Sequence, residues 1–562
     1  MSRTVLISIL STVVCLAYFY LLDSLFFSSA GFSAIFQLLL TTRDMNASWI
    51  AVAICLAAAL WRRAEPVVRL VAFVAEHPAL LAIFIGLIVC LGSIFVYRGY
   101  PLSMDEYAAV FQSKVFASGH LFGSVPPGAV DWLVVPGFNG AFLVASHESG
   151  RVIEAYWPGF ALMLAPFEFL GAPWLCNAVL ASLSMVLIYH IAIEITGNRL
   201  AGGWALLFTM ASGAFLANAI SLYSMQAHLT ANLLFAWLLL KPTSPRVFAA
   251  GLVGSFALIL HNPFPHVLFA LPWIVSMTAN NNSRRYLVPL ILGYLPLALG
   301  VGLGWFLFKS SIASDSQVDP TISALANGTF RWTNIAILNM RAAALVKMLI
   351  WAVPGLFVLA AIGYGRHRDD RNIRLLGQSA ALTFVGYLFV NLDQGHGWGY
   401  RYFHSAWGAI PILAAAAMSS RSARPLQIES FAGAAAILSL VLLMPFQIYQ
   451  IDSFVAQQLD RLPSPKRPGN NVFIVNPRGG FYLVDMIQTD PFLRKKDLYL
   501  LSHGLPADAG LMKLGWPSAV VVSQGTWGQE WHLSPSAGDP NAKTDEKLWS
   551  SGFCLATRCP AF

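Results

Sequence analysis

The sequence predicts an all-α polytopic membrane protein of about thirteen transmembrane helices, closed at its carboxyl end by a small extracytoplasmic α/β domain. Three observations carry that fold class. Of the 562 residues, 57% are hydrophobic and only 11% charged, against roughly 25% charged in an average soluble domain. The basic residues sit in short clusters between apolar runs. After Gln447 the composition turns polar, with Pro463, Pro465, Pro468 and Gly469 marking a linker.

The apolar runs must be helices, because every backbone polar group in hydrocarbon has to be satisfied within its own segment. The runs place helices near 5–27, 47–61, 79–97, 174–195, 202–219, 225–240, 246–260, 265–279, 286–308, 342–363, 375–391, 404–419 and 429–447. The first is expected to stay as a membrane helix, since it is long and has no clear small-x-small cleavage site. Residues 1–78 then form an N-terminal pair of helices, 79–447 the main transmembrane module, and 448–562 the outer domain. Within the module, 98–173 is a large external loop. Its apolar stretch Trp157 to Leu170 is interrupted by Pro158 and Pro166 and suits a helix lying at the interface better than a span. A second loop, Lys309 to Arg341, contains Asp315, Asp319 and Arg331 and is expected to cover the site. In the tail, Val472–Val475, Leu498–Leu501 and Ala519–Val522 read as short buried strands.

The net charge of +8 does not mark a nucleic-acid protein, because no long basic tract carries it. Arg62-Arg63, Arg199, Lys241 with Arg246, Arg284-Arg285, Arg366 to Arg374, and Arg421 with Arg424 fall in every second connection. Basic clusters mark cytoplasmic loops, so the amino terminus is expected inside and the tail outside. Cys15, Cys55, Cys90 and Cys176 lie in apolar segments as small hydrophobes, whereas Cys554 and Cys559 in the outer tail are expected to form a disulfide.

The strongest chemical signal is Ser103-Met104-Asp105-Glu106-Tyr107, just outside the third helix. Ser103 and Glu106 have capping-box spacing, and an acid in a first helical turn also gains from the helix dipole. The competing reading is catalytic. Transfer of a sugar from a lipid phosphate has a good leaving group, but the acceptor hydroxyl must lose a proton, which one placed carboxylate can take. His396-Gly397-Trp398-Gly399-Tyr400-Arg401 is the second signal, and Arg401 offers a phosphate its planar fork while Trp398 and Tyr400 suit a sugar ring. An aromatic belt with a snorkelling arginine accounts for the same residues. His228 is an intramembrane polar residue, by default a functional candidate. Lys114 is a candidate for phosphate and Glu154 for the acceptor, beside their readings as surface or structural charges. No His or Cys cluster has metal-site spacing, and no cofactor is expected.

Asp105-Glu106-Tyr107, Phe111-Gln112, Gly119-His120-Leu121, Tyr156-Trp157-Pro158-Gly159 and Leu170-Gly171-Ala172-Pro173-Trp174 resemble the first external loop of GT-C glycosyltransferases. The likeness is to the bacterial family 39 branch, related to protein O-mannosyltransferases and the lipid A aminoarabinose transferase, and it spans roughly 79–420. The resemblance implies a GT-C fold and an inverting hexosyl or pentosyl transferase of the bacterial inner membrane, with its active site facing the periplasm. It also implies a polyprenyl-phosphate sugar donor among the membrane lipids, a glycan, lipid or protein acceptor, Asp105 as the base and a functional arginine-tyrosine pair in the stretch His396 to His404. Where such enzymes carry a second acid, Tyr223 to His228 contains none, a departure from a two-carboxylate or metal-dependent scheme. The alternative is a lipid or sugar transporter without bond cleavage, which would show related halves and paired midplane charges.

Overall fold

The computed structural model describes residues 2–25, 33–135, 138–313, 330–419, 426–477, 485, 487–533 and 545–557. The chain divides into two compact units. The first comprises Met1–Gly99, Trp174–Val301 and Leu325–Asp452, the second Tyr100–Pro173, Gly302–Ala324 and Ser453–Phe562.

Six helices among the described residues are long and apolar enough to cross a membrane: Arg3–Leu21, Ala34–Leu60, Pro78–Val96, Leu175–Thr196, Asn281–Ala313 and Gln427–Leu459. A seventh follows if Arg199–Met210 and Gly213–Ile220, bent by 62°, are one span. Met225–Leu240, Ser244–Leu258 and Phe264–Ala279 are shorter apolar helices. The protein is therefore a multi-pass membrane protein, and the expected thirteen segments include several below the roughly 20 residues of a full crossing.

Within the first unit, small residues set the helix contacts. A Cβ on Gly251 would lie 2.3 Å from Leu290 O, and one on Gly293 2.3 Å from Phe248 O, so helices Ser244–Leu258 and Leu287–Leu297 touch backbone to backbone. Packing of this kind replaces the hydrophobic drive that lipid cannot supply. The helix expected over 342–363 is two helices, Ile335–Ile350 and Leu356–His367. Pro354 cannot donate a helical hydrogen bond and Gly355 turns left-handed at φ 86°, so the chain breaks there. The 202–219 helix likewise breaks between Met210 and Gly213.

A charged pair is buried in this unit. Lys347 Nζ lies 2.5 Å from Asp44 Oδ2, both side chains are 1% exposed, and Trp351 Nε1 donates to Asp44 Oδ1 at 2.6 Å. Arg341, also buried, donates to the carbonyls of Tyr387, Val390 and Leu392 and to the Tyr400 hydroxyl.

The second unit holds two sheets. Strands β1 (Gly123–Ser124), β2 (Leu143–Ala145) and β3 (Arg151–Glu154) form an antiparallel sheet in the order β1-β3-β2. Strands β4 (Asn470–Val475), β5 (Asp497–Leu501), β6 (Ala519–Gly525) and β7 (Gly528–Leu533) form another, ordered β5-β4-β7-β6, with only β4 and β5 parallel. The sequence pattern missed β7, whose Gln529-Glu530-Trp531-His532 is too polar to read as a buried run. Helices Leu505–Gly515 and Asp545–Thr557 pack through Trp516, Trp549 and Phe553. The tail does not keep its core to itself: Met104, Tyr107, Phe111 and Val152 share one apolar cluster with Ile474, Leu500, Met512 and Trp549. The interrupted apolar stretch forms the helix Gly159–Phe169.

Cys559 lies outside the described residues, and with it the expected Cys554–Cys559 bridge. Asp315 and Asp319 of the expected covering loop lie outside them too, and that loop starts later than expected, since Lys309 belongs to the helix Gly304–Ala313.

Candidate active site

Asp105 opens the helix Met104–Ala117, whose preceding residue Ser103 is extended at φ −131° and ψ 159°. From Pro101 to Ser113 every residue is buried except Asp105, which is half-buried. The neighbouring acid is committed to the helix start: Glu106, fully buried, accepts from Leu102 N–H at 3.0 Å and lies 3.4 Å from Ser103 Oγ. The expected capping box is not formed, because the Ser103 side chain makes no cap hydrogen bond among the described residues and Glu106 engages the amide of Leu102.

The Tyr156 hydroxyl donates to Asp105 Oδ1 at 2.5 Å. Strand β3 and the turn after it bring that tyrosine into place. Gln112 Oε1 accepts from Glu154 N–H at 3.1 Å, and Gln112 Nε2 donates to Leu121 O at 3.0 Å, tying the helix to the strand. Beyond β3, Trp305 Nε1 donates to Tyr156 O and Lys309 Nζ to Ala155 O, each at 2.8 Å. Lys309 also lies 5.4 Å from the centre of the Trp157 ring. The backbone of 154–157 is thus pinned from two sides, and the Tyr156 ring inherits that fixity.

Glu154 is 1% exposed, and its Oε1 has no hydrogen-bond partner among the described residues. Burial holds its carboxyl well above the usual range, with the nearby Lys309 opposing. Lys114 follows Asp105 by nine residues, about two and a half helical turns and so the opposite side of the helix. Its charged neighbours are Glu168 and Lys495. Burial raises the Glu168 carboxyl, and the two lysines oppose the rise.

The second group of expected residues lies in the first unit. Gly395, Gly397 and Gly399 take φ of 58°, 138° and 62°, so the chain winds around Gln394, whose Nε2 donates to Gly397 O and Gly399 O. Glycine enters these conformations at no steric cost, and φ 138° at Gly397 excludes a side chain. Arg401 closes the loop: its N–H donates to Gln394 Oε1, and its Nε and Nη2 donate to Gln394 O at 3.0 and 2.6 Å. The guanidinium stacks over Tyr223 at 4.6 Å and Tyr402 at 5.4 Å and is 5% exposed. His396 Nδ1 pairs with the Tyr223 hydroxyl at 2.9 Å, Trp398 packs 5.9 Å from Trp351, and Tyr400 accepts from Arg341. Arg401, Tyr400, His396 and Trp398 are therefore brought together, and each is tied into the protein interior.

His228 is fully buried, and neither ring nitrogen has a hydrogen-bond partner among the described residues. One turn later, Asn232 Nδ2 donates to Ser405 O, leaving Oδ1 to accept from His266 Nδ1 at 2.7 Å. His266 Nε2 then accepts from the Tyr294 hydroxyl at 2.7 Å. Among the described residues no group of three or more His, Cys, Asp or Glu side chains is arranged to hold a metal.

Sequence reasoning did not single out Asp485. The backbone N–H of Met104 hydrogen-bonds its carboxylate, yet burial, and then the charge of Asp105, push it up to about 7. A lone acid in a polar tail has no periodicity to announce it. Lys309 was equally hidden, at the end of an apolar run.

No family model matches the chain, and no curated protein matches it. Solved structures do give matches. The chain is similar to ArnT. The crystal structure of ArnT from Cupriavidus metallidurans bound to undecaprenyl phosphate matches at 13% identity and a TM-score of 0.49, covering 82% of this chain and 99% of that one. The apo structure of the same ArnT matches at 12% identity and a TM-score of 0.46, with the same coverage.

Proposed function

We propose that the protein is a GT-C-type membrane glycosyltransferase that moves a sugar from a polyprenyl-phosphate donor to a hydroxyl acceptor outside the cytoplasm, with Asp105 as general base. One observation carries the proposal: in a buried helix start, Asp105 alone reaches the surface, and Tyr156 fixes its orientation. The loop motif that resembles the family's places its aspartate at this residue.

In the reaction the acceptor oxygen attacks the anomeric carbon from the face opposite the phosphate. The carbon–oxygen bond to phosphate breaks, the lipid phosphate leaves with the electron pair, and the configuration inverts. The acceptor proton passes to the Asp105 carboxylate. A base placed in this way is worth about 10²–10⁴ in rate. Glu106 has a structural duty instead, because its contacts with Leu102 N–H and Ser103 Oγ hold the helix start. Arg401 supports the donor region by bracing the loop that carries Trp398 and Tyr400.

The test uses full-length protein in nanodiscs with tritiated polyprenyl-phosphate mannose and polyprenyl-phosphate aminoarabinose, and a bacterial envelope extract as acceptor. Sugar transfer with release of polyprenyl phosphate is expected. Movement of the intact donor across a vesicle bilayer without cleavage would make the protein a transporter instead.

A further inference from the structure

Residues 485 and 487–491 lie along the start of the helix Met104–Ala117. Gln488 Nε2 donates to Pro101 O at 2.5 Å and to Asp485 O at 3.3 Å. The Tyr107 hydroxyl donates to Thr489 O at 2.6 Å, and Ser124 N–H to Pro491 O at 2.9 Å. Through Gln488 these bonds hold Asp485 against the chain that leads into the helix, where the N–H of Met104 hydrogen-bonds its carboxylate and the charge of Asp105 acts on it. A first-turn amide has no partner inside its own helix, so a carboxylate is a natural occupant there.

We infer that Asp485 is a second carboxylate of the reaction centre, paired with Asp105 so that the two together receive the proton released by the acceptor hydroxyl. The inference rests on Asp105 being the base. Two carboxylates in one partly buried place do not both ionise freely, and the pair titrates as a unit. A lone exposed carboxylate, with a pKa near 4, is a weak base for an alcohol. Asp485 is held at about 7 by burial and by Asp105, so the fully ionised pair has a conjugate acid near neutrality. The other titratable groups around the pair are Tyr156, bonded to Asp105, Glu106, bonded to Leu102 N–H, and Tyr107, Tyr100 and Asp490 along the docked segment.

In the step, the acceptor O–H bond breaks as the new glycosidic bond forms. The proton goes to the Asp105–Asp485 pair, and the phosphate takes the electrons of the bond it leaves. Water recovers the proton after the product departs.

The test compares wild type, Asp485→Asn and Asp105→Asn as full-length protein in nanodiscs. Asp485→Asn keeps a carbonyl oxygen for Met104 N–H, and an unchanged thermal midpoint confirms folding. Infrared difference spectra without substrate should show a protonated-carboxyl band in wild type that disappears with a midpoint near pH 7. That band should be missing in Asp485→Asn and should titrate at lower pH in Asp105→Asn, with the Glu154 band retained in all three. With tritiated polyprenyl-phosphate mannose or aminoarabinose, wild-type kcat should climb through neutrality. Asp485→Asn should lose the climb and fall about tenfold in kcat with KM unchanged. Wild-type rate and pH profile in Asp485→Asn, or a neutral-pH band that survives this substitution, overturns the pairing. If Asp105→Asn is inactive while Asp485→Asn is normal, the pairing alone fails. Full activity of Asp105→Asn removes the base assignment and the pairing with it.

Discussion

Tyr156 donates its hydroxyl hydrogen to Asp105 Oδ1 at 2.5 Å across 51 residues of sequence. Orientation of the Asp105 carboxylate therefore depends on a strand end that Trp305 and Lys309 hold by its backbone carbonyls.

Removing the hydroxyl should separate orientation from folding. Tyr156→Phe keeps the ring and both backbone bonds to 155 and 156, so its thermal midpoint should stay close to wild type. Loss of a hydrogen bond to a charged group, about 1.5–3 kcal/mol, should lower turnover roughly 10- to 100-fold. A pH–rate series on the purified variant checks this, and unchanged turnover would exclude an orienting role.

Glu154 gives a pH dependence of stability with a definite sign. Its carboxyl is raised in the folded protein by burial, so the native state holds a proton that the unfolded chain has released. The stability it contributes is present below the ordinary value of 4.5 and is lost as pH rises through the folded value. Glu154→Gln should match wild type near pH 4 and exceed it at pH 8. Thermal unfolding midpoints measured across that range test the sign, and a variant weaker than wild type at pH 8 would contradict it.

The buried Asp44–Lys347 pair should show strong coupling. Lys347→Met leaves a buried charge uncompensated, a loss of about 3–5 kcal/mol. Asp44→Asn combined with Lys347→Met removes both charges and should recover most of it. Unfolding midpoints of the two single variants and the double variant form the cycle.

Arg401→Lys should destabilise the loop from Gln394 to His404, because an ammonium cannot make both bonds to Gln394 O while stacking on Tyr223 and Tyr402. Faster proteolysis of this loop, together with weaker donor binding, is the expected result.

The sequence made the helical membrane class, the helix start at Ser103 and three of the four tail strands legible, because apolar runs and turn residues are local signals, but Ala519–Val522, expected as a buried strand, lies in the largely exposed β6. Trp351 to Gly355 was passed over inside an apolar run, although Pro354 and Gly355 together mark a break. Lys347 and Lys309 each stand as single charges beside apolar runs, Asp44 sits next to Arg43 with no local feature to mark it, and only the fold gives the three their partners. Asp485 lies 380 positions beyond Asp105 in sequence, and no spacing rule reaches that far. The HGWGYR motif was visible, but its glycines point to a loop wound around Gln394, a use of Arg401 that composition does not reveal.

The most direct measurement is single-turnover cleavage of a tritiated polyprenyl-phosphate sugar by Asp105→Asn in nanodiscs, with folding verified by its thermal midpoint. Transfer to the acceptor should fall about 10²–10⁴-fold while donor binding persists. Transfer at the wild-type rate would contradict the assignment of Asp105 as the base.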